Sequence, residues 1–123
     1  MKINVSRSVC LAIEMVRAAL AHSSVPRRIQ GRWSEYKIST GKMVDKKRSF
    51  SMEIWVETIP IIHWGTSLWI EGWVDDTGGE VDIEIQDIDD SVGEKKNYHF
   101  LFYINELSQL RILPEMTIVP SKD

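Results

Sequence analysis

The sequence predicts an α+β, mainly β fold: one N-terminal helix followed by an antiparallel meander of five to seven strands, forming a small barrel or a sheet packed on the helix. Three observations carry this. Apolar residues recur at helical spacing between Ser6 and Ala21, period-two alternation takes over after Gly31, and Gly, Asp, Asn or Pro punctuates the alternating runs. With 123 residues, 43% hydrophobic and 27% charged, the chain suits one globular domain with its own core. The expected layout is a single domain over residues 1–123, divided into a helix (6–21), a linker (22–30) and the β-meander (31–119).

In the helix, Val9, Ile13, Val16 and Leu20 share one side with Ala12 and Ala19, and Asn4, Ser6 or Ser8 can cap its start. Leu11, Met15 and Ala18 widen the apolar arc and leave a narrow polar stripe of Arg7, Cys10, Glu14 and Arg17. A helix of this kind needs cover on two sides, so a sheet contact is expected, with a homodimer contact as a second use of the surplus. Cys10 is the single cysteine, which excludes an intrachain disulfide; its apolar neighbours predict a buried, structural thiol. Glu14 and Arg17 interrupt the apolar run and exclude a membrane span there, so a cytoplasmic protein is the default expectation. "HSSVPRRIQ", residues 22 to 30, then reads as a linker, because the residue before proline is pushed out of the helical region.

Strands are expected over Trp33 to Ile38, Phe50 to Ile59, Ser67 to Asp75, Glu80 to Ile88 and Tyr98 to Ile104. Leu110 to Leu113 and Thr117 to Val119 can add one or two more. "STGKMVDKKR", "IPIIHWGT", "DDTGG" and "DDSVGEKKN" read as the connections. Aligning Val74 with Val81 places Ile70 opposite Ile85, Trp73 opposite Asp82 and Glu71 opposite Glu84. Gly72, opposite Ile83 in that register, marks a bulge, a bend or a close backbone approach.

Alternation then divides the sheet into two faces. One holds Phe50, Met52, Ile54, Val56, Leu68, Ile70, Val74, Val81, Ile83 and Ile85. The other holds Glu53, Trp55, Glu57, Trp69, Glu71 and Trp73, joined by Trp33 and Glu35 from the first strand and by His99, Leu101 and Tyr103 from the fifth. Tryptophans among carboxylates are not the composition of an idle solvent face.

Charge is segregated along the chain. Residues 1–48 hold eleven Lys/Arg against three Asp/Glu, and residues 49–123 hold four against fifteen, giving +8 and −11 and summing to the net −3. Either the halves neutralise each other on folding, or separate acidic and basic zones steer a charged partner. The basic stretch of Arg27, Arg28, Arg32, Lys42, Lys46, Lys47 and Arg48 can meet phosphates, but a chain with pI near 5.6 argues against nucleic acid as a partner.

No catalytic signature is legible. Asp76-Thr77-Gly78 matches the Asp-Thr-Gly triplet of aspartic proteases, yet no later apolar-apolar-Gly stretch exists to pack beneath such a loop, and the triplet reads as a hairpin turn. The acidic run Asp87, Asp89, Asp90 and Glu94 has Val92 where a calcium loop needs glycine. His22, His63 and His99 show no metal spacing, so no metal or cofactor is expected.

Gly31-Arg32-Trp33, followed directly by a meander, resembles the Gly-x-Trp opening of lipocalin-like (calycin) barrels. The stretch from Phe50 to Ile85, with a glycine inside a strand and an Asp-x-x-Gly hairpin, is similar to small lipocalin-like domains. The resemblance covers roughly residues 31–104 and implies a barrel that holds a small apolar ligand or serves as an inert scaffold.

Two functional classes follow. The first is a non-catalytic binding protein of inhibitor or immunity type, with Trp55, Trp69 and Trp73 as anchors and Glu53, Glu57 and Glu71 steering a basic protein partner. The second is a carrier of a small apolar ligand, with Phe50, Met52, Ile54, Ile70, Val74, Ile83 and Phe102 lining a cavity. An enzyme whose residues are scattered over loops comes third. Which class holds depends on what covers the tryptophan face: the helix, a barrel interior or a partner.

Overall fold

The structure, a computed structural model, describes residues 3–59, 64–86 and 95–112. The acidic run 87–94, His63 and the segment 117–119 lie outside these residues.

Helix α1 (Val5–Leu20) starts where Asn4 accepts a hydrogen bond from the Arg7 amide at 2.7 Å. Its buried stripe is Ser8, Leu11, Ala12, Met15, Val16, Ala19 and Leu20, while Val9 and Ile13 flank it half-buried. Cys10 is exposed, contrary to expectation. At 3.6 residues per turn it falls on the side of the helix opposite the stripe, and apolar sequence neighbours do not bury a residue there. A 3-10 turn (Arg27–Ile29) closes the linker, burying Val25 and Ile29.

Six strands follow: β1 (Arg32–Val44), β2 (Lys47–Ile59), β3 (Trp64–Asp75), β4 (Gly78–Ile85), β5 (Asn97–Ile104) and β6 (Leu110–Ile112). They form one antiparallel sheet in sequence order. The sheet stays open: among the described residues β1 pairs with β2 and β6 with β5, and no ladder joins the first strand to the last, so the barrel expectation is corrected. Helix α1 instead covers the apolar face. Phe50, Met52, Ile54, Ile70, Val74, Ile83 and Phe102 are all packed in this core, each at most 4% exposed.

Local geometry explains two departures from the expected connections. "STGKMVDKKR" is largely strand, because Asp45 and Lys46, with φ of 51° and 67°, make a two-residue hairpin turn and leave the flanking residues paired. The β3–β4 hairpin is equally tight. Asp75 opposes Gly78, and the Asp75 carboxylate accepts from both the amide and the hydroxyl of Thr77, at 2.8 and 2.7 Å. The register is therefore two residues from the expected one: Val74 opposes Gly79, Ile70 opposes Ile83, Glu71 opposes Asp82 and Trp73 opposes Glu80. A shift of two keeps every side chain on its face.

Two glycines hold layers close. A Cβ on Gly79 would lie 2.7 Å from Met15 Cε, so its absence lets α1 settle onto the hairpin. At Gly72, opposite Val81, a Cβ would stand 2.0 Å from the Glu80 carbonyl oxygen and 2.9 Å from the Phe50 ring, which identifies a close backbone approach. The polar end of the helix is tied down by Arg48, whose guanidinium donates to Ser8 Oγ at 3.1 Å, to the Ile3 carbonyl at 3.3 Å and to the Gly41 carbonyl at 3.0 Å.

Candidate functional site

The face away from α1 can be read as a grid. One cross-strand row runs Ser49, Trp73, Glu80, Leu101; the next runs Ser51, Glu71, Asp82, His99; a third runs Lys37, Glu53, Trp69, Glu84, Asn97. Trp55 stands between Glu35 and Ser67. All six expected anchors and steering charges, Trp55, Trp69, Trp73, Glu53, Glu57 and Glu71, thus share one face, and the three tryptophans are half-buried.

Trp33 does not join them. A bulge between Trp33 and Glu35 adds one residue to β1, which sends Trp33 to the helix side, opposite Val56, and leaves Glu35 on the open face. There the Arg17 guanidinium lies over the Trp33 ring, 4.3 Å from its centroid.

Two of the three tryptophans use neighbouring carboxylates as acceptors for their indole N–H groups. Trp69 Nε1 donates to Glu71 Oε1 at 3.0 Å, and Trp73 Nε1 donates to Glu80 Oε2 at 2.8 Å. The Lys47 ammonium caps the Trp73 ring at 4.0 Å. A cation of the chain itself thus sits on this aromatic surface.

Glu80, Asp82 and Glu84 from β4, with the expected His99 from β5, complete the face. His99 Nε2 is 2.5 Å from Glu80 Oε1 and 3.7 Å from Asp82 Oδ1. Burial alone pushes the Glu80 carboxyl up, but hydrogen bonds from Trp73 and His99, with the His99 charge, outweigh it and hold Glu80 below its ordinary range. Asp82 is raised by burial, and the neighbouring charges of Glu80 and Glu71 add to this against the pull of His99. Carboxylates this close share their cost unequally: one stays ionised and the other holds its proton longer.

Ligand atoms of Glu80, Asp82 and His99 all lie within 4.8 Å of one another, a spacing and donor set that suit a divalent cation. The Glu80 oxygens are already engaged by Trp73 and His99, so the cluster is satisfied within the protein. Alternation in β4 carried the signal for these carboxylates; their meeting with His99 depends on a strand pairing across a long connection.

Charge segregation survives in part. The open face presents Glu35, Glu53, Glu57, Glu71, Glu80, Asp82 and Glu84, with Lys37 and Lys47 at its β1–β2 side, Arg32 opposite Glu57 and Arg111 opposite Tyr103, whereas Arg7, Arg17, Arg27 and Arg28 lie on α1 and the turn after it. Protein-family models, curated proteins and solved structures offer no match to this chain. The functional reading rests on this face. Among the described residues, no helix is long and apolar enough to cross a membrane.

Proposed function

We propose that the chain is a non-catalytic binding protein of inhibitor or immunity type, which engages a basic protein partner through the open face of its sheet. One observation carries the reading: Trp55, Trp69 and Trp73 stand half-exposed among carboxylates on the face that α1 leaves uncovered. The Trp69 and Trp73 rings are held in place by hydrogen bonds to Glu71 and Glu80, so little of their side-chain freedom is lost on docking. Tryptophan is the residue type most enriched among strong interface anchors, each worth about 2 kcal/mol or more when fully desolvated. The surrounding carboxylates accelerate encounter with a cationic surface and reject an acidic one. The carrier reading has less support, since its seven residues fill the core beneath the helix.

The test is capture of the partner from the native host, followed by calorimetric titration at low and high salt. Affinity should fall with salt, and the combined Glu53→Gln, Glu57→Gln and Glu71→Gln variant should bind at least about ten-fold more weakly at low salt. A partner held equally well by that variant at every salt concentration would overturn the steering role.

A further inference from the structure

β1 is an edge strand, and between its bulges at Trp33/Glu35 and Thr40/Met43 it runs regularly through Glu35, Tyr36, Lys37, Ile38, Ser39 and Thr40. Glu35, Tyr36, Lys37 and Ser39 are exposed, and Tyr36 is 47% exposed although it opposes the buried Ile54. β2 pairs with one side of this segment; its other side presents a row of main-chain donors and acceptors, a template for a further strand.

The side chains choose the occupant. Glu35 and Lys37 flank Tyr36 on the open face, with opposite charge and equal spacing, while Tyr36 points to the helix side, where Trp33 meets it edge-on at 5.6 Å. The segment is a charge palindrome about Tyr36. We propose that β1 pairs antiparallel with β1 of a second copy of this chain, about a two-fold axis through Tyr36 and normal to the sheet, joining the two sheets into one.

In this register Glu35 of each copy opposes Lys37 of the other, giving two opposite-charge pairs on the open face, and the two Tyr36 rings meet on the helix side. Every residue opposes one an even number of positions away, so backbone groups that point outward on one strand meet outward-pointing groups on the other. The two adjacent registers are penalised, since an axis at Glu35 places Glu35 against Glu35 and an axis at Lys37 places Lys37 against Lys37, while an axis at Ile38 forfeits both opposite-charge pairs. The exposed Tyr36, and with it the outer end of the row it shares with the partly buried Trp33 and Ile38, then gains cover. Because the axis is normal to the sheet, both tryptophan faces look the same way. The pairing does not depend on the partner proposed above.

Sedimentation equilibrium of the full chain over micromolar to millimolar concentration tests it, with far-UV circular dichroism to confirm that each variant keeps its sheet. The wild type should reach twice the 14.2 kDa chain mass. Lys37→Glu and Glu35→Lys should each weaken association at least about ten-fold, because each converts both symmetry-related pairs to like charges. The double exchange Glu35→Lys/Lys37→Glu should restore wild-type association. A wild type that stays monomeric throughout, single variants as tight as wild type, or a double variant as weak as the singles would each overturn the pairing. In the last case the loss belongs to Lys37 and its own-chain neighbour Glu53, and in the second the copies meet elsewhere.

Discussion

The Trp73 indole N–H donates to Glu80 Oε2 at 2.8 Å, directly across the β3–β4 pair. This bond holds both the ring and the carboxylate that His99 shares. Trp73→Phe keeps most of the ring's area but removes the donor, and should cost about 1 kcal/mol. Urea denaturation reads this as a lower midpoint at unchanged slope; an unaltered midpoint would mean that water replaces the indole without loss.

Acid should act on this cluster in two directions. Glu80 titrates lower in the folded chain than in the unfolded one, so its contribution is present above the unfolded value and is lost as pH falls through the lowered one. Asp82 titrates higher when folded, so it opposes folding as pH rises from the unfolded value through the raised one. Asp82→Asn removes that opposition. The variant should be at least as stable as wild type at neutral pH, by roughly half a kcal/mol or less because Asp82 is solvent-screened, and should lose more stability than wild type on acidification. Glu80→Gln should instead lose stability at neutral pH and show a flatter acid limb. Denaturant midpoints across the acid range distinguish the two.

Thr66 is 2% exposed, opposite Val56, and its hydroxyl has no hydrogen-bond partner among the described residues. Thr66→Val keeps the shape and removes an unsatisfied polar group, so it should stabilise the chain by about 1 kcal/mol. Thermal unfolding that moved down rather than up would show that the hydroxyl is satisfied in solution.

The two faces of the sheet should respond differently to truncation. Leu11→Ala, in the buried stripe of α1, should cost about 2–5 kcal/mol in unfolding free energy. Trp69→Ala, on the open face, should cost markedly less stability and instead abolish most partner binding. Acrylamide should quench Trp55, Trp69 and Trp73 in the free chain, and partner binding should protect them; complete protection without partner would place those rings in a covered interior.

Local periodicity made much of this fold legible. The helix span, the strand order and the assignment of Trp55, Trp69 and Trp73 to one face all follow from spacings of 3.6 and 2. What escaped depends on other parts of the chain. The bulge at Ser34 moves Trp33 across the sheet without any change in composition, and the tight Asp76-Thr77 turn shifts the hairpin register by two. Cys10 is exposed because it lies on the polar stripe with Arg7, Glu14 and Arg17; the expectation of burial follows its apolar neighbours in sequence rather than its place on the helical wheel. His99 joins Glu80 through a pairing of β5 with β4 that no local pattern specifies.

The contact of Met15 with Gly79 spans more than sixty positions, whereas the strands pair only with their neighbours in sequence. Hairpins of that kind close over short loops and form early; a contact between distant segments waits for them. Until α1 docks, the meander displays Ile54, Leu68, Ile70 and Ile83 to solvent on an aliphatic surface. The helix is therefore the fold's own chaperone. Weakening its docking, as by truncating Met15, should show as aggregation during refolding.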